Sequence, residues 1–131
     1  MKKFVAFSVL ILLSFALLIS CSPSFSSTYY DEISSYVKTN APYIETSGEV
    51  EYFLYSEVPG TEVNTYYGYY YAKNGARQPY SEENMSIDTS KVEAKDGGFY
   101  YGEVDEKSDW CFIKTITKGW YYFETHDYIY N

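Results

Sequence analysis

The sequence predicts a mainly-β domain: a small antiparallel sandwich or partly closed barrel of about six strands, with one short N-terminal helix. Three observations predict it. The chain holds 18 Tyr, 8 Phe and 2 Trp in 131 residues, while Leu54 is the only leucine beyond the N-terminal leader. Aromatic-rich, leucine-poor composition disfavours a helical bundle and favours sheet. An alternation of period two starts after Gly48 and runs to the C-terminus. Turn signals at Pro59-Gly60, Asn74-Gly75, Asp96-Gly97-Gly98 and Lys118-Gly119 cut that stretch into strand-length pieces.

The elements follow in order. Thr28 to Asn40 reads as the helix: Thr28-x-x-Asp31 has the form of a capping box, and Tyr29, Ile33, Tyr36 and Val37 fall on one face. Asn40-Ala41-Pro42 stops it. Val50, Tyr52 and Leu54 alternate with Glu51, Phe53 and Tyr55 in the first strand. Tyr66 to Ala72 is the densest aromatic run, with Gly68 marking a bulge or a packing gap. Glu82-Glu83-Asn84 reads as a solvated loop, and Met85 and Ile87 as a short strand. Lys91–Lys95 and Phe99–Val104 form a hairpin, Asp105–Asp109 an acidic turn, and Trp110–Thr117 with Trp120–Tyr130 the last hairpin. On the final strand Trp120, Tyr122, Glu124 and His126 share one face, and Tyr121, Phe123 and Thr125 the other. Short connections favour antiparallel pairing.

The domain organisation is set by the first residues. Met1-Lys2-Lys3 is a basic start, and Phe4 to Ile19 is an apolar run of 16 residues broken only by Ser8 and Ser14. That is short for a membrane span, which needs about 20. Leu18-Ile19-Ser20-Cys21 follows directly. Together these resemble the signal peptide and lipobox of bacterial lipoprotein precursors, a resemblance confined to residues 1–21. It implies cleavage before Cys21, acylation of that cysteine, and a lipid-anchored protein of the cell membrane or outer membrane, facing the periplasm or the exterior. Ser22 after the cysteine is compatible with the outer membrane. Each buried CH₂ contributes about 0.8 kcal/mol, so two or three chains hold where one does not. Residues 1–20 are then the signal, 21–27 the lipidated cysteine and a flexible tether, and 28–131 one domain. With Cys21 acylated, Cys111 has no partner for an internal disulfide and reads as a buried structural thiol.

A second resemblance covers about half of the remaining chain. Asn74-Gly75-Ala76-Arg77-Gln78-Pro79, Lys95-Asp96-Gly97-Gly98-Phe99 and Lys118-Gly119-Trp120-Tyr121 are similar to the turn rhythm of carboxypeptidase-regulatory-like β-sandwich domains. Tyr80-Ser81 stands where that family has Gly-Ala. The resemblance implies a seven-stranded sandwich and no activity.

Charge and motifs narrow the function. The net charge is −8, Lys2 and Lys3 belong to the leader, and all 18 acidic residues lie beyond it. This argues against electrostatic binding of nucleic acid or anionic lipid. Phosphate loops, dinucleotide fingerprints, nucleophile elbows and Cys/His metal spacings are missing, so neither enzyme nor cofactor is expected. Glu124 and His126 form a two-ligand set with no third, and Asp105, Glu106 and Asp109 lack a calcium-loop pattern. A cleft holding two facing carboxylates, or a buried carboxylate near His126, is the arrangement that would point to a small hydrolase or an inhibitor of one. The aromatic surplus is the feature with functional reach. One small core cannot hold every ring, so Tyr66, Tyr67, Tyr69, Tyr71, Trp120 and Tyr122 are the candidate exposed contacts, for an envelope protein or, by stacking, for a glycan. The competing reading is cross-strand pairing that only stabilises the sheet.

Overall fold

The computed structural model describes residues 25–130. The expected signal peptide and lipidated Cys21 lie outside the described residues. The helix α1 spans Ser27–Asn40 and ends in a 3-10 turn, Ala41–Tyr43. Six strands follow: β1 (Val50–Val58), β2 (Val63–Ala72), β3 (Val92–Lys95), β4 (Gly98–Gly102), β5 (Trp110–Thr117) and β6 (Trp120–Tyr128). All pair antiparallel in one sheet of order β1-β2-β6-β5-β4-β3. Among the described residues the mainly-β class, the six antiparallel strands and the single helix match the sequence reading.

The sheet is not closed into a barrel, and among the described residues no second sheet faces it. Its two faces are covered by different devices. Ile33 and Val37 of α1, both fully buried, pack on Tyr67, Tyr69, Trp120, Tyr122 and Phe112. The opposite face carries Tyr66, Tyr70, Cys111, Ile113, Tyr121 and Phe123, with Tyr80 and Ile87 packed on it from the long 73–91 connection. That connection runs from β2 to the far edge strand β3, and β6 inserts between β2 and β5. The seven-stranded sandwich implied by the turn motifs is therefore not built. Asn74-Gly75 opens a crossover rather than a hairpin, and the proposed strand at Met85 and Ile87 is part of the covering loop.

Local chemistry explains the elements. Asp96-Gly97 takes left-handed backbone at both residues (φ 56° and 75°), the geometry a two-residue hairpin demands. Gly68 serves both roles expected of it. It faces Leu54, where β1 slips register by one residue before Ser56. A Cβ at Gly68 would overlap the Phe53 carbonyl oxygen and stand 2.5 Å from Phe123 Cζ. The helix start differs from expectation. The N-cap is Ser26, it has no side-chain cap bond, and the box with Asp31 does not form. Phe25 and Ser26, expected to belong to a flexible tether, are docked on the sheet. Phe25 packs on Phe112 at 4.9 Å between ring centroids, and its N–H donates to Tyr100 Oη at 3.1 Å.

The tyrosine excess has a structural cause. The 73–91 cover is irregular, with backbone groups that need partners. Ring and hydroxyl serve at once: the ring fills the core and the hydroxyl reaches the cover. Tyr70 Oη donates to Ala76 O (3.3 Å) and accepts from Gln78 N (3.2 Å). Tyr121 Oη donates to Gly75 O (2.9 Å) and Tyr52 Oη to Gln78 O (3.0 Å). Leucine could fill the same volume and fasten nothing. Among the described residues no buried side-chain polar atom lacks a partner.

Candidate functional site

The expected exposed tyrosines are mostly core. Tyr66, Tyr67, Tyr69, Trp120 and Tyr122 are all under 10 % exposed, and only Tyr71 of the six is half-buried. The expectation rested on one core; the sheet has two, one on each face, and together they hold the rings. The rings pair with one another as cross-strand stabilisers do: Tyr70 stacks on Tyr121 at 4.9 Å and Phe53 on Tyr69 at 5.1 Å. Burial pushes the hydroxyls of Tyr67 and Tyr69 up to about 12.

Accessible apolar surface is found instead on β1 and the adjoining helix face. Leu54, Tyr55, Val58 and Tyr36 are each about two-fifths or more exposed, and Tyr36 lies 5.9 Å from Tyr55 between ring centroids. Tyr55 Oη donates to Glu32 Oε1 at 2.8 Å, tying the strip to the helix. β1 is an edge strand with a neighbour on one side only.

Glu124 and His126 do meet, with Nε2 of the histidine 2.9 Å from Oε1 of the glutamate. Glu124 is 1 % exposed. Its other oxygen accepts from Tyr122 Oη (2.9 Å) and from the Ser26 backbone N–H (3.1 Å). The imidazole lies flat on Trp110, 3.7 Å between centroids. This is the buried carboxylate beside a histidine that the sequence reading reserved for hydrolysis. Its bonds give it another task. Glu124 takes from across the sheet the N-cap N–H that the capping box leaves open, and a carboxylate there also suits the helix dipole. Among the described residues no Ser, Thr or Cys side chain is hydrogen-bonded to His126, and none holds three metal-ligating side chains together.

The acidic turn contributes a similar clasp. Asp109 is buried and accepts from Ser86 N (2.9 Å) and Tyr128 N (2.8 Å), joining the cover loop to the end of β6. Asp127 is buried near it. Burial first, then the charges of Asp109 and Glu82, hold the Asp127 carboxyl above its ordinary value, against hydrogen bonds from Asn84 and Asn64. The folded state thus binds this proton more tightly than the unfolded chain. Asp127 therefore costs stability at neutral pH, and the cost is recovered as the pH falls through its folded value. Asp127→Asn is expected to raise the melting temperature at pH 7.5, with the gap to wild type narrowing as the pH falls into the carboxylate range. An equal gap at every pH would show that charge is not the cause.

Cys111 is buried, and desolvation pushes its thiol up to about 12, so it stays protonated and unreactive at neutral pH. Among the described residues, two adjoining open hollows lie at the end of the sheet where Tyr71 sits. The described residues contain no helix long and apolar enough to cross a membrane. No protein-family model, curated protein or solved structure matches this chain.

Proposed function

We propose that the chain is an exported, lipid-anchored protein of the bacterial cell envelope, held to the membrane through Cys21, whose domain is a non-enzymatic protein-interaction module. The basic start, apolar run and lipobox support the anchor. The observation that carries the interaction is the open β1 edge with its exposed apolar side chains, Tyr36, Tyr55 and Val58 on the α1 face of the sheet and Leu54 on the other. An open edge offers backbone N–H and C=O groups to an added strand, and alternate side chains supply specificity. The tyrosines here give large contact area at small entropic cost.

Two measurements test the reading separately. Grown with radiolabelled palmitate, cells are expected to label the wild-type chain and not Cys21→Ala, which also leaves the membrane fraction. Label retained without Cys21 would end the anchor reading. A photo-crosslinking residue at Leu54 or Val58 is expected to give one discrete adduct in intact cells, and at Asp105, in the acidic turn between β4 and β5, none. A diffuse smear from all three positions would end the interaction reading.

A further inference from the structure

The hollows beside Tyr71 have volumes of about 480 and 380 Å³. The larger is lined by Tyr71, Lys73, Asn74, Thr115, Lys118 and Tyr121, together with the turn glycines Gly75 and Gly119. The smaller shares Tyr71 and Lys73 and adds the Thr46–Glu49 segment that leads into β1. Glu49 lines only the smaller one, so Lys73 and Lys118 are the charged residues of the larger. In a chain of net charge −8 this is a local reversal of sign. Both lysines are exposed, and among the described residues neither is in a salt bridge.

The walls are rigid. Gly75 and Gly119 adopt φ of 68° and 80°, so each rim is a tight turn that a side-chain-bearing residue would strain. The turns are bonded to the sheet and to each other through it: Tyr121 Oη donates to Gly75 O (2.9 Å), Gly75 N to Ala72 O (3.0 Å) and Ala72 N to Gly119 O (2.8 Å). Tyr71 is held against Trp120, 5.1 Å between centroids. The result is a preformed concavity with one accessible aromatic ring, two ammonium groups, an amide and a hydroxyl. Ligand sites in this size range combine an apolar wall with a few fixed polar groups in this way.

We propose that the larger hollow binds an anionic saccharide: the sugar ring lies against Tyr71, its carboxylate or phosphate sits between Lys73 and Lys118, and Asn74 and Thr115 take ring hydroxyls. The site is separate from the β1 strip and does not depend on the interaction reading. A neutral sugar would leave the lysines without a role, and a bare anion would leave Tyr71 without one.

The test uses the full chain, ¹⁵N-labelled and solubilised in a neutral detergent, titrated with tetragalacturonate, glucose 6-phosphate or maltotetraose. Saturable shifts of the Gly75, Lys118 and Gly119 amides are expected with one or both anionic sugars. A response to the uronate alone identifies a carboxylate ligand, to the phosphosugar alone a phosphate ligand, and either supports the site. Lys73→Gln and Lys118→Gln are each expected to weaken binding by about tenfold, as for loss of one charge-assisted contact. Added salt weakens wild type more than either variant. Lys91→Gln, whose parent pairs with Glu103 away from the hollow, leaves affinity unchanged. Equal affinity for maltotetraose, shifts that map elsewhere, or no response to any of the three sugars would overturn the proposal. So would full affinity in the double lysine variant.

Discussion

Replacing Glu124 by alanine is expected to destabilise the domain by about 3–5 kcal/mol, a large share of the 5–15 kcal/mol available to a domain of this size. The magnitude follows from what the carboxylate holds. Three partners converge on it: the Ser26 N–H, the Tyr122 hydroxyl and His126 Nε2. Tyr122 is fully buried, so its hydroxyl has no water to turn to. A buried donor stripped of its acceptor costs about 1–3 kcal/mol, and the truncated side chain adds a void. Tyr122→Phe removes a donor and leaves the acceptor with two partners, so it should cost about 1 kcal/mol.

The loss should also be local in kind. Ser26 is the N-cap of α1, and its N–H is one of two backbone bonds that fix the N-terminal segment to the sheet, with Phe25 N to Tyr100 Oη the other. Hydrogen exchange at amides of the first helical turn is expected to accelerate in Glu124→Ala before the β5 and β6 amides respond. Urea denaturation measures the total and exchange locates it. A variant as stable as wild type, with an unchanged first turn, would show that the clasp carries no load.

How far these features could be read in the sequence depends on the span of the interactions that make them. The hairpins were legible because turn chemistry and period two are local. Asp96-Gly97 and Lys118-Gly119 sit where the hairpins turn, and the two faces of β6 are divided as the alternation requires. The clasp was not legible, since Ser26 and Glu124 are 98 residues apart and nothing in either neighbourhood names the other. The cover of the second face was hidden for a similar reason. The 73–91 segment has no periodicity. It is held by scattered bonds such as Thr125 Oγ1 to Tyr80 O and by the stack of Tyr80 on Phe123. Of the expected contacts only Tyr66 lies under that cover; Tyr67 and Tyr69 lie under α1 and read as surplus only when the rings are counted against a single core. A count of aromatics against one core gives surplus rings, and the same count against two cores does not. The lysine hollow was equally distant from any local signal, because Lys73 follows β2 and Lys118 lies in the β5–β6 turn.

Gly68→Ala tests the joint between β1 and β2, and the expected cost is about 2 kcal/mol. Overpacking costs about 1–3 kcal/mol, and an alanine in a strand recovers some backbone entropy that glycine loses on folding. The upper part of that range applies because one obstacle is the Phe53 carbonyl on β1, which cannot rotate away. The other is the ring of Phe123, fully buried and stacked on Tyr80 at 4.6 Å. Relief by moving β1 disturbs the register shift opposite Gly68, and relief by moving Phe123 lifts Tyr80 and with it the cover loop. The two routes are separable by a double-mutant cycle with Phe123→Leu, whose smaller side chain frees the space that the alanine methyl needs. If the ring is the dominant obstacle, the double variant should be more stable than the sum of the single effects predicts, by about 1 kcal/mol. Strict additivity would assign the strain to the Phe53 carbonyl. Wild-type stability in Gly68→Ala alone would mean that β1 shifts freely against β2, and the bulge would then be a slack joint rather than a packed one.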